Sequence, residues 1–251
     1  MAKVINGEII VLADLNINKE QLEGITVEEE LKRSWYKKFW EFYSLKNQYI
    51  STFNEGKSKL MIKFIYEFRN VNLLEGIVEI GKKYPVEYIV LSHSDFVNDD
   101  IKQMLLETKT PVLIVPDGYQ SNIPKNIAYA TDFHKFSNSD RVANQVLDLA
   151  KLLNASVHFL HLTEKSHTIE VEDVDFFNQL LKVTHKNNQH TMEIVKGSDS
   201  LVALQEYVVN SNIDLIVVIQ QHRNWLHDLF HESFSEKVND LNNKPLLLYK
   251  D

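Results

Sequence analysis

A series of short, nearly continuous apolar runs constrains the fold of this chain more than any other feature. The runs are rich in β-branched residues and lack polar alternation, which is typical of strands buried on both faces of a parallel sheet. Amphipathic stretches of helical period separate most of them, so the sequence predicts β-α-β units with right-handed crossovers. The runs are Ile9–Leu12, Leu60–Ile65, Tyr88–Leu91, Val112–Val115, Ile127–Ala130, Val157–Leu160, Met192–Val195, Leu215–Ile219 and Leu246–Tyr249.

The same order of helix, strand, helix and strand occurs twice along the chain. In the first half a helical stretch precedes Tyr88–Leu91, and a Thr-Pro dipeptide precedes Val112–Val115. In the second half a helical stretch precedes Leu215–Ile219, and a Lys-Pro dipeptide precedes Leu246–Tyr249. Two matching series predict two copies of one fold. A stretch rich in Gly, Ser, Asn and Pro, Asp117–Pro124, is the predicted linker.

The two predicted copies are not equally complete. Residues 119–251 contain a full five-strand unit, whereas residues 1–118 contain only four clear strands. In place of one strand-helix step, the first copy has the aromatic-rich stretch Thr26–Phe53, where Thr26 and Glu29 fit a capping box. The predicted fold is therefore α/β, with two tandem open parallel sheets of the five-stranded type, flanked by helices, the first copy being incomplete.

Large aromatic residues at helical spacing dominate the stretch Thr26–Phe53. Trp35, Phe39, Trp40 and Tyr43 cover more surface than a single helix stripe needs. One interpretation is that they pack on their own sheet in place of the missing step. The other is that they are exposed and form a docking surface for a protein partner or a second copy.

Composition and charge exclude several classes of function. The chain has no cysteine, which excludes disulfides, thiolate catalysis and Cys-based zinc sites. The formal net charge is −8 and no polybasic run occurs, which argues against nucleic-acid binding. No Walker A or Gly-x-Ser-x-Gly motif occurs, so no enzyme class is indicated. No apolar run suits a membrane span or a signal peptide, so we expect a cytoplasmic protein without a membrane partner.

Four motifs in the second half occur in a characteristic order. Ile127–Phe133 is a strand ending in Thr-Asp-Phe, and Ala143–Leu153 is a helix followed by another apolar run. Ile213–Val218 is a later strand, and Ser233–Val238 reads Ser-x-x-Glu-Lys-Val before the final Pro-apolar run. In this order the motifs resemble the universal stress protein family over Lys125–Lys250.

The family resemblance extends to the first half, mainly over Leu60–Pro116. It implies an adenine nucleotide alpha hydrolase-like, Rossmann-like fold. In this family the last strands of two domains often pair edge to edge, so Val112–Val115 could pair with Leu246–Tyr249 and form an intrachain pseudo-dimer. A homodimer of whole chains is a further expectation from the resemblance.

The family also implies where a nucleotide would bind. ATP-binding members carry Gly-x-x-Gly and a later Gly-Ser or Gly-Thr after the fourth strand, and these glycines let backbone N–H groups approach phosphate oxygens. Alignment on Ser233 places Ile219, His222 and Glu232 at the three glycine positions, so only the hydroxyl residue is retained. Asp132 matches the acidic residue that faces the nucleoside.

The corresponding loop of the first copy has Asn98 and Asp99 at the Gly-Ser positions. We therefore expect no bound cofactor; the alternative is ATP or AMP in a remodelled loop, held by Asp132 and Ser233. Without a ligand, these two residues are ordinary helix caps.

A histidine group in the second half offers one more alternative. His222, His227 and His231 lie close in sequence, and the last two share one helix face, which suits a divalent metal. We favour a polar helix face without a metal. The sequence thus predicts a non-enzymatic stress-response or signalling module that acts through protein contacts, with nucleotide binding as the alternative.

Overall fold

The computed structural model describes residues 8–14, 26–53, 63–69, 73–92, 108–120, 123–131, 139–164, 190–197, 199–220, 241 and 243–250. Contacts divide the chain into two compact units, Met1–Pro85 and Val86–Asp251. The sequence also predicts an amphipathic helix over Asp173–Val183, and this stretch lies outside the described residues.

Among its described residues, the first unit contains two strands and two helices. They are β1 (Glu8–Asp14), α1 (Val27–Phe53), β2 (Lys63–Arg69) and α2 (Leu73–Lys83). The strands form a two-stranded parallel sheet, and α1 lies in the long connection that a parallel pair requires. Helix α2 contacts β1, and its buried residues Leu74, Ile77 and Ile80 recur at helical spacing. The predicted aromatic helix is confirmed.

In the second unit, the described strands form a seven-stranded sheet that helices accompany. Its elements are β3 (Ile89–Ser92), β4 (Val112–Val115), β5 (Asn126–Thr131), α3 (Ser139–Leu153), β6 (Ser156–Glu164), β7 (His190–Gly197), α4 (Ser200–Asn210), β8 (Leu215–Gln220) and β9 (Leu246–Lys250). The strand order is β3-β4-β9-β8-β5-β6-β7. The five strands of the second half are parallel throughout, as predicted.

Strands β4 and β9 pair antiparallel and join the two halves of the sequence. Val112 lies opposite Leu248, and Ile114 lies opposite Leu246. This confirms the predicted edge-to-edge pairing. It also explains why the compact units divide after Pro85, since sheet hydrogen bonds hold β3 and β4 with the second half. The repeat boundary at 118/119 stays a prediction.

The α/β class is confirmed. The described strands form one seven-stranded sheet and one two-stranded sheet, whereas the sequence predicted two sheets of the five-stranded type. In the complete copy β5 lies between β6 and β8 and joins the strand pairs on its two sides. In the first half the pairs β1–β2 and β3–β4 belong to different sheets. Among the described strands of that half, none has the joining position of β5.

The core of the second unit lies around its central strands. Ile127–Ala130, Leu215–Ile219 and Leu246–Tyr249 are all buried, as continuous apolar runs predict. Helix α3 contacts β5, β6 and β8, whereas α4 contacts β6 and β7. Asp199 caps α4 by accepting hydrogen bonds from the backbone N–H groups of Leu201 and Val202.

Candidate functional site

The strand order of the second unit reverses between β5 and β8. From β5 the chain proceeds to β6 and β7 on one side, and then returns to β8 on the other. In open α/β sheets, ligands bind outside the carboxyl ends of the strands at such a switch point. Strand β5 ends at Thr131 and β8 ends at Gln220. Asp132 therefore follows directly after the strand end where a ligand is expected.

Most of the residues predicted for a nucleotide site lie outside the described part of the chain. They are Asn98, Asp99, Asp132, His222, Glu232 and Ser233. The histidines His227 and His231 lie outside it as well. Within the described stretches no group of three or more His, Asp or Glu side chains could hold a metal ion.

Ile219 is the one glycine position of the family motif that the structure describes. It lies inside β8, is 2% exposed, and stands in register with Tyr249 of β9. An ATP-binding member begins its glycine loop at this position. Here the chain is still a paired strand, and its side chain is apolar and lies in the core. Backbone groups committed to a sheet are not available to cradle a phosphate.

Helix α1 begins with the predicted capping box. The backbone N–H of Glu29 donates to Oγ1 of Thr26 at 3.3 Å, and Oε2 of Glu29 accepts from the backbone N–H of Thr26 at 3.1 Å. The hydroxyl of Thr26 also donates to that carboxylate. These hydrogen bonds from Thr26 lower the pKa of the Glu29 carboxyl. The reciprocal bonds fix where α1 starts and hence which residues share a face.

The aromatic residues of α1 are largely exposed. Tyr36 is 60% exposed, Trp40 is 58%, and Trp35 and Tyr43 are each 38%. Phe39, also among the predicted docking residues, is half-buried. Tyr36 lies one turn before Trp40 and adds to the exposed aromatic area of the four predicted docking residues.

The aromatic rings of α1 hold one another in place. Trp35 stacks on Phe39 with ring centroids 5.2 Å apart, and Phe39 stacks on Tyr43 at 5.9 Å. Trp40 meets Tyr43 edge to face at 5.5 Å. Tyr36 meets Trp35 edge to face at 5.4 Å. These five residues form one continuous, ordered surface, which we call the aromatic surface of α1.

A hydrogen-bonded chain of three side chains links β6, β7 and α4. The hydroxyl of Tyr207 donates to Oε1 of Glu193 at 2.7 Å and lies 2.9 Å from Nδ1 of His158. Because the phenol has a single proton, Nδ1 of His158 must be the donor in the second bond. The sequence gave no signal for this group, since its members come from three separate elements.

Burial shifts the pKa values of two groups in this hydrogen-bonded chain, His158 and Tyr207. It lowers the pKa of His158, and the Glu193 carboxylate opposes this effect. Burial also raises the pKa of the Tyr207 phenol, and the hydrogen bond to Glu193 acts in the same direction. His161 is 2% exposed, and alternation along β6 places it on the opposite face from His158.

None of the helices in the described ranges has the continuous apolar length that a bilayer-spanning helix requires. No protein-family model matches the chain, and no functionally curated protein matches it in sequence.

Solved structures share the fold over nearly the whole chain. A universal stress protein from Archaeoglobus fulgidus DSM 4304 matches at a TM-score of 0.66 and 16% identity, over 97% of this chain and 86% of that one. A putative universal stress protein from Pseudomonas aeruginosa UCBPP-PA14 matches at 0.52 and 15% identity, over 97% and 92%. The cytoplasmic domain of a prokaryotic cation chloride cotransporter matches at 0.51 and 13% identity, over 96% and 83%. Identities this low establish the fold and leave function to the site.

Proposed function

We propose that this chain, whose fold is that of the universal stress proteins, is a cytoplasmic, non-enzymatic stress-response or signalling module that acts through contacts with other proteins. The observation that carries the proposal is the exposure of the aromatic surface of α1.

Exposed aromatic side chains on an ordered helix are typical of interaction surfaces. Trp and Tyr are enriched at protein interfaces, because each buries a large area while losing little conformational freedom. Tyr36 and Trp40 each expose more than half of their area, and neighbouring rings hold them in position. A protein that left such a surface uncovered would expose a contiguous apolar patch to water.

We further propose that the chain binds neither ATP nor AMP, and the position of Ile219 supports this. Its burial within β8 removes the flexible start of a phosphate loop. Glu232 adds a negative charge at another of the family's glycine positions. A carboxylate beside a phosphate is electrostatically unfavourable.

Nucleotide binding is the second candidate function. It is favoured by the position of Asp132 directly after β5, at the switch point where ligands bind in sheets of this order. In this alternative, Asp132 contacts the nucleoside and Ser233 contacts a phosphate of ATP or AMP.

Affinity purification of the tagged chain tests the protein-contact proposal. We expect Tyr36→Ala combined with Trp40→Ala to lose co-purifying proteins that the unchanged chain retains. The matched control is Ile123→Ala with Leu152→Ala, which removes side chains that are 49% and 50% exposed elsewhere in the molecule. Equal recovery of partners by both variants would contradict a docking role for α1.

Calorimetry with ATP, ADP and AMP in the presence of magnesium separates the two candidate functions. We expect no binding heat and no thermal shift at millimolar nucleotide on ligand-free protein. Micromolar binding that Asp132→Ala or Ser233→Ala abolishes would overturn the proposal and establish the nucleotide site.

A further inference from the structure

We propose that the exposed rings of α1, together with the basic residues beside them, bind an acidic helical segment of another protein. The inference rests on the proposed role of α1 in protein contacts and names the chemistry of the partner. The residues that carry it all belong to α1.

Four exposed residues of α1 form a contiguous set on one face of the helix. Arg33 and Lys37 are one turn apart, as are Tyr36 and Trp40, and each basic residue lies three positions before a ring. Residues three or four positions apart are neighbours on a helix surface, with Cβ atoms about 6 Å apart. We call Arg33, Tyr36, Lys37 and Trp40 the aromatic–basic surface.

The acidic side chains of α1 are engaged within the helix and its cap. Three of the four lie in the first turn, where negative charge also favours the helix macrodipole. Each of the four contacts a residue three or four positions away. The pairs are Glu28 with Lys32, Glu29 with Thr26, Glu30 with Ser34 and Glu41 with Lys38.

The two basic residues of the aromatic–basic surface have no such contact. Among the described residues neither Arg33 nor Lys37 forms an ion pair, whereas Lys32 and Lys38 do. Arg33 acts on the carboxylate of Glu29 at longer range, and its charge is the weakest influence on the pKa of that group. Positive charge beside the exposed rings is therefore available to an anionic group of a partner.

The chemistry of the aromatic–basic surface defines what fits it. Guanidinium and ammonium groups bind carboxylates, and a guanidinium can donate two parallel hydrogen bonds to one carboxylate. Large rings are removed from water best by apolar side chains. Arg33 and Lys37 are one turn apart, so two carboxylates one turn apart on a partner helix match them in spacing. Apolar residues three positions after each carboxylate then lie beside them, just as Tyr36 and Trp40 lie beside the basic residues.

The charge of the whole chain favours a short acidic partner over an extended one. Helix α1 contains five basic and four acidic residues, whereas the chain has a net charge of −8. A nucleic acid or an anionic lipid surface would extend beyond α1 and meet that net repulsion. A short peptide segment is affected mainly by the charges of α1, because charges farther away than about 8 Å are largely screened at physiological ionic strength.

The size of the surface indicates a transient complex. Tyr36 is 60% exposed and Trp40 is 58%. A fully covered aromatic residue buries about 150–250 Å², so the exposed parts of the two rings offer roughly 200–300 Å². This is well below the roughly 800 Å² that each partner contributes to a standard interface. We therefore expect rapid exchange, and a complex that added salt weakens.

Fluorescence anisotropy of two labelled helical peptides, titrated with the full chain, tests the charge of the partner. The acidic peptide carries Glu at positions i and i+4 and Leu at i+3 and i+7, and the basic peptide carries Lys in place of Glu. We expect saturable, salt-sensitive binding of the acidic peptide at sub-millimolar concentrations, about tenfold or more tighter than binding of the basic peptide.

Charge reversal on α1 should exchange the two peptides. Arg33→Glu combined with Lys37→Glu should bind the basic peptide more tightly than the acidic one, a result that an unfolded variant cannot give. The matched control is Arg141→Glu with Lys151→Glu, which reverses the same two charges at exposed positions of α3. It has the same net charge as the α1 variant, so nonspecific attraction of the basic peptide is equal in both. The control should keep the preference of the unchanged chain for the acidic peptide.

Each other outcome overturns the inference. Equal binding of the two peptides, or binding of neither, would show that the surface does not select an acidic helix. An acidic preference that the α1 charge variant retains would place the contact elsewhere in the molecule. Binding of phosphatidylserine vesicles without binding of the acidic peptide would assign the surface to a membrane.

Co-purification separates failure of this inference from failure of the proposed function. If Tyr36→Ala with Trp40→Ala loses bound proteins while Arg33→Glu with Lys37→Glu retains them, α1 contacts proteins through its rings and the partner is not acidic. If neither variant loses bound proteins, the proposed function itself is wrong.

Discussion

Protonation of the neutral imidazole of His158 couples this residue to the stability of the second unit. Burial lowers the folded-state pKa of His158, so below its unfolded value of about 6.5 the unfolded chain binds more protons than the folded chain. The contribution of neutral His158 is thus complete above that pH and is lost as the pH falls through the folded pKa. We expect His158→Gln to reduce the decline in unfolding free energy between about pH 7 and pH 5. Urea titrations across this pH range measure the unfolding free energy. An unchanged dependence of that free energy on pH in His158→Gln would contradict the expectation.

The hydroxyl of Tyr207 is the centre of the same hydrogen-bonded chain. Tyr207→Phe removes the acceptor of His158 and the donor to Glu193 together, leaving the partly buried imidazole N–H without its bond. We expect a loss of about 1 kcal/mol of unfolding free energy, measured by chemical denaturation. Tyr36→Phe removes an exposed phenol hydroxyl and serves as the control, with an expected change within about 0.5 kcal/mol.

Thr26 determines where the aromatic helix starts. Thr26→Ala removes the hydroxyl that accepts from the backbone N–H of Glu29. We expect a loss of about 1 kcal/mol in the stability of α1, with lower helix content by circular dichroism. Thr26→Ser retains the hydroxyl and should behave like the unchanged chain. Equal helix content in the two variants would show that the cap is dispensable.

The end of β7 and the start of α4 approach each other closely at Gly197. A Cβ on this glycine would lie 2.6 Å from Cβ of Ala203 and 2.7 Å from the carbonyl oxygen of Asp199. Gly197→Ala should therefore cost about 1–3 kcal/mol in thermal or chemical unfolding. At Gly81 of α2 nothing lies within 4 Å of the added Cβ, so Gly81→Ala should be neutral or stabilise by up to about 1 kcal/mol. Similar effects at both glycines would contradict a close contact at Gly197.

At the scale of the whole molecule, the antiparallel pairing of β4 with β9 decides which part of the chain can fold alone. A fragment of residues 86–251 contains all seven strands of the larger sheet, whereas residues 119–251 lack β3 and β4 and leave the edge of β9 open. We expect the longer fragment to be stable and the shorter one to be less stable and to associate through that edge. Light scattering and thermal unfolding compare the fragments. Equal stability and a monomeric shorter fragment would place the boundary at 118/119, as the repeat predicts.

The sequence alone determined the strands, the main helices and the start of α1. Continuous runs such as Ile127–Ala130 identify buried strands, because a strand covered on both faces needs apolar residues at every position. The capping box at Thr26 and Glu29 was equally readable, since it involves residues within one helical turn. Local sequence carries these features because their physical causes are local.

Only the tertiary structure decided which side chains are buried and which hydrogen bonds form between elements. Val90 and Val217 occupy equivalent positions in the two copies, yet Val90 is 61% exposed and Val217 is 0% exposed. Strand β8 has a neighbour on each side, whereas β3 pairs with β4 alone among the described strands. The His158–Tyr207–Glu193 chain likewise exists only because packing brings β6, β7 and α4 together. Burial and long-range hydrogen bonds depend on neighbours that are distant in sequence, so similar residues acquire different environments once the chain has folded.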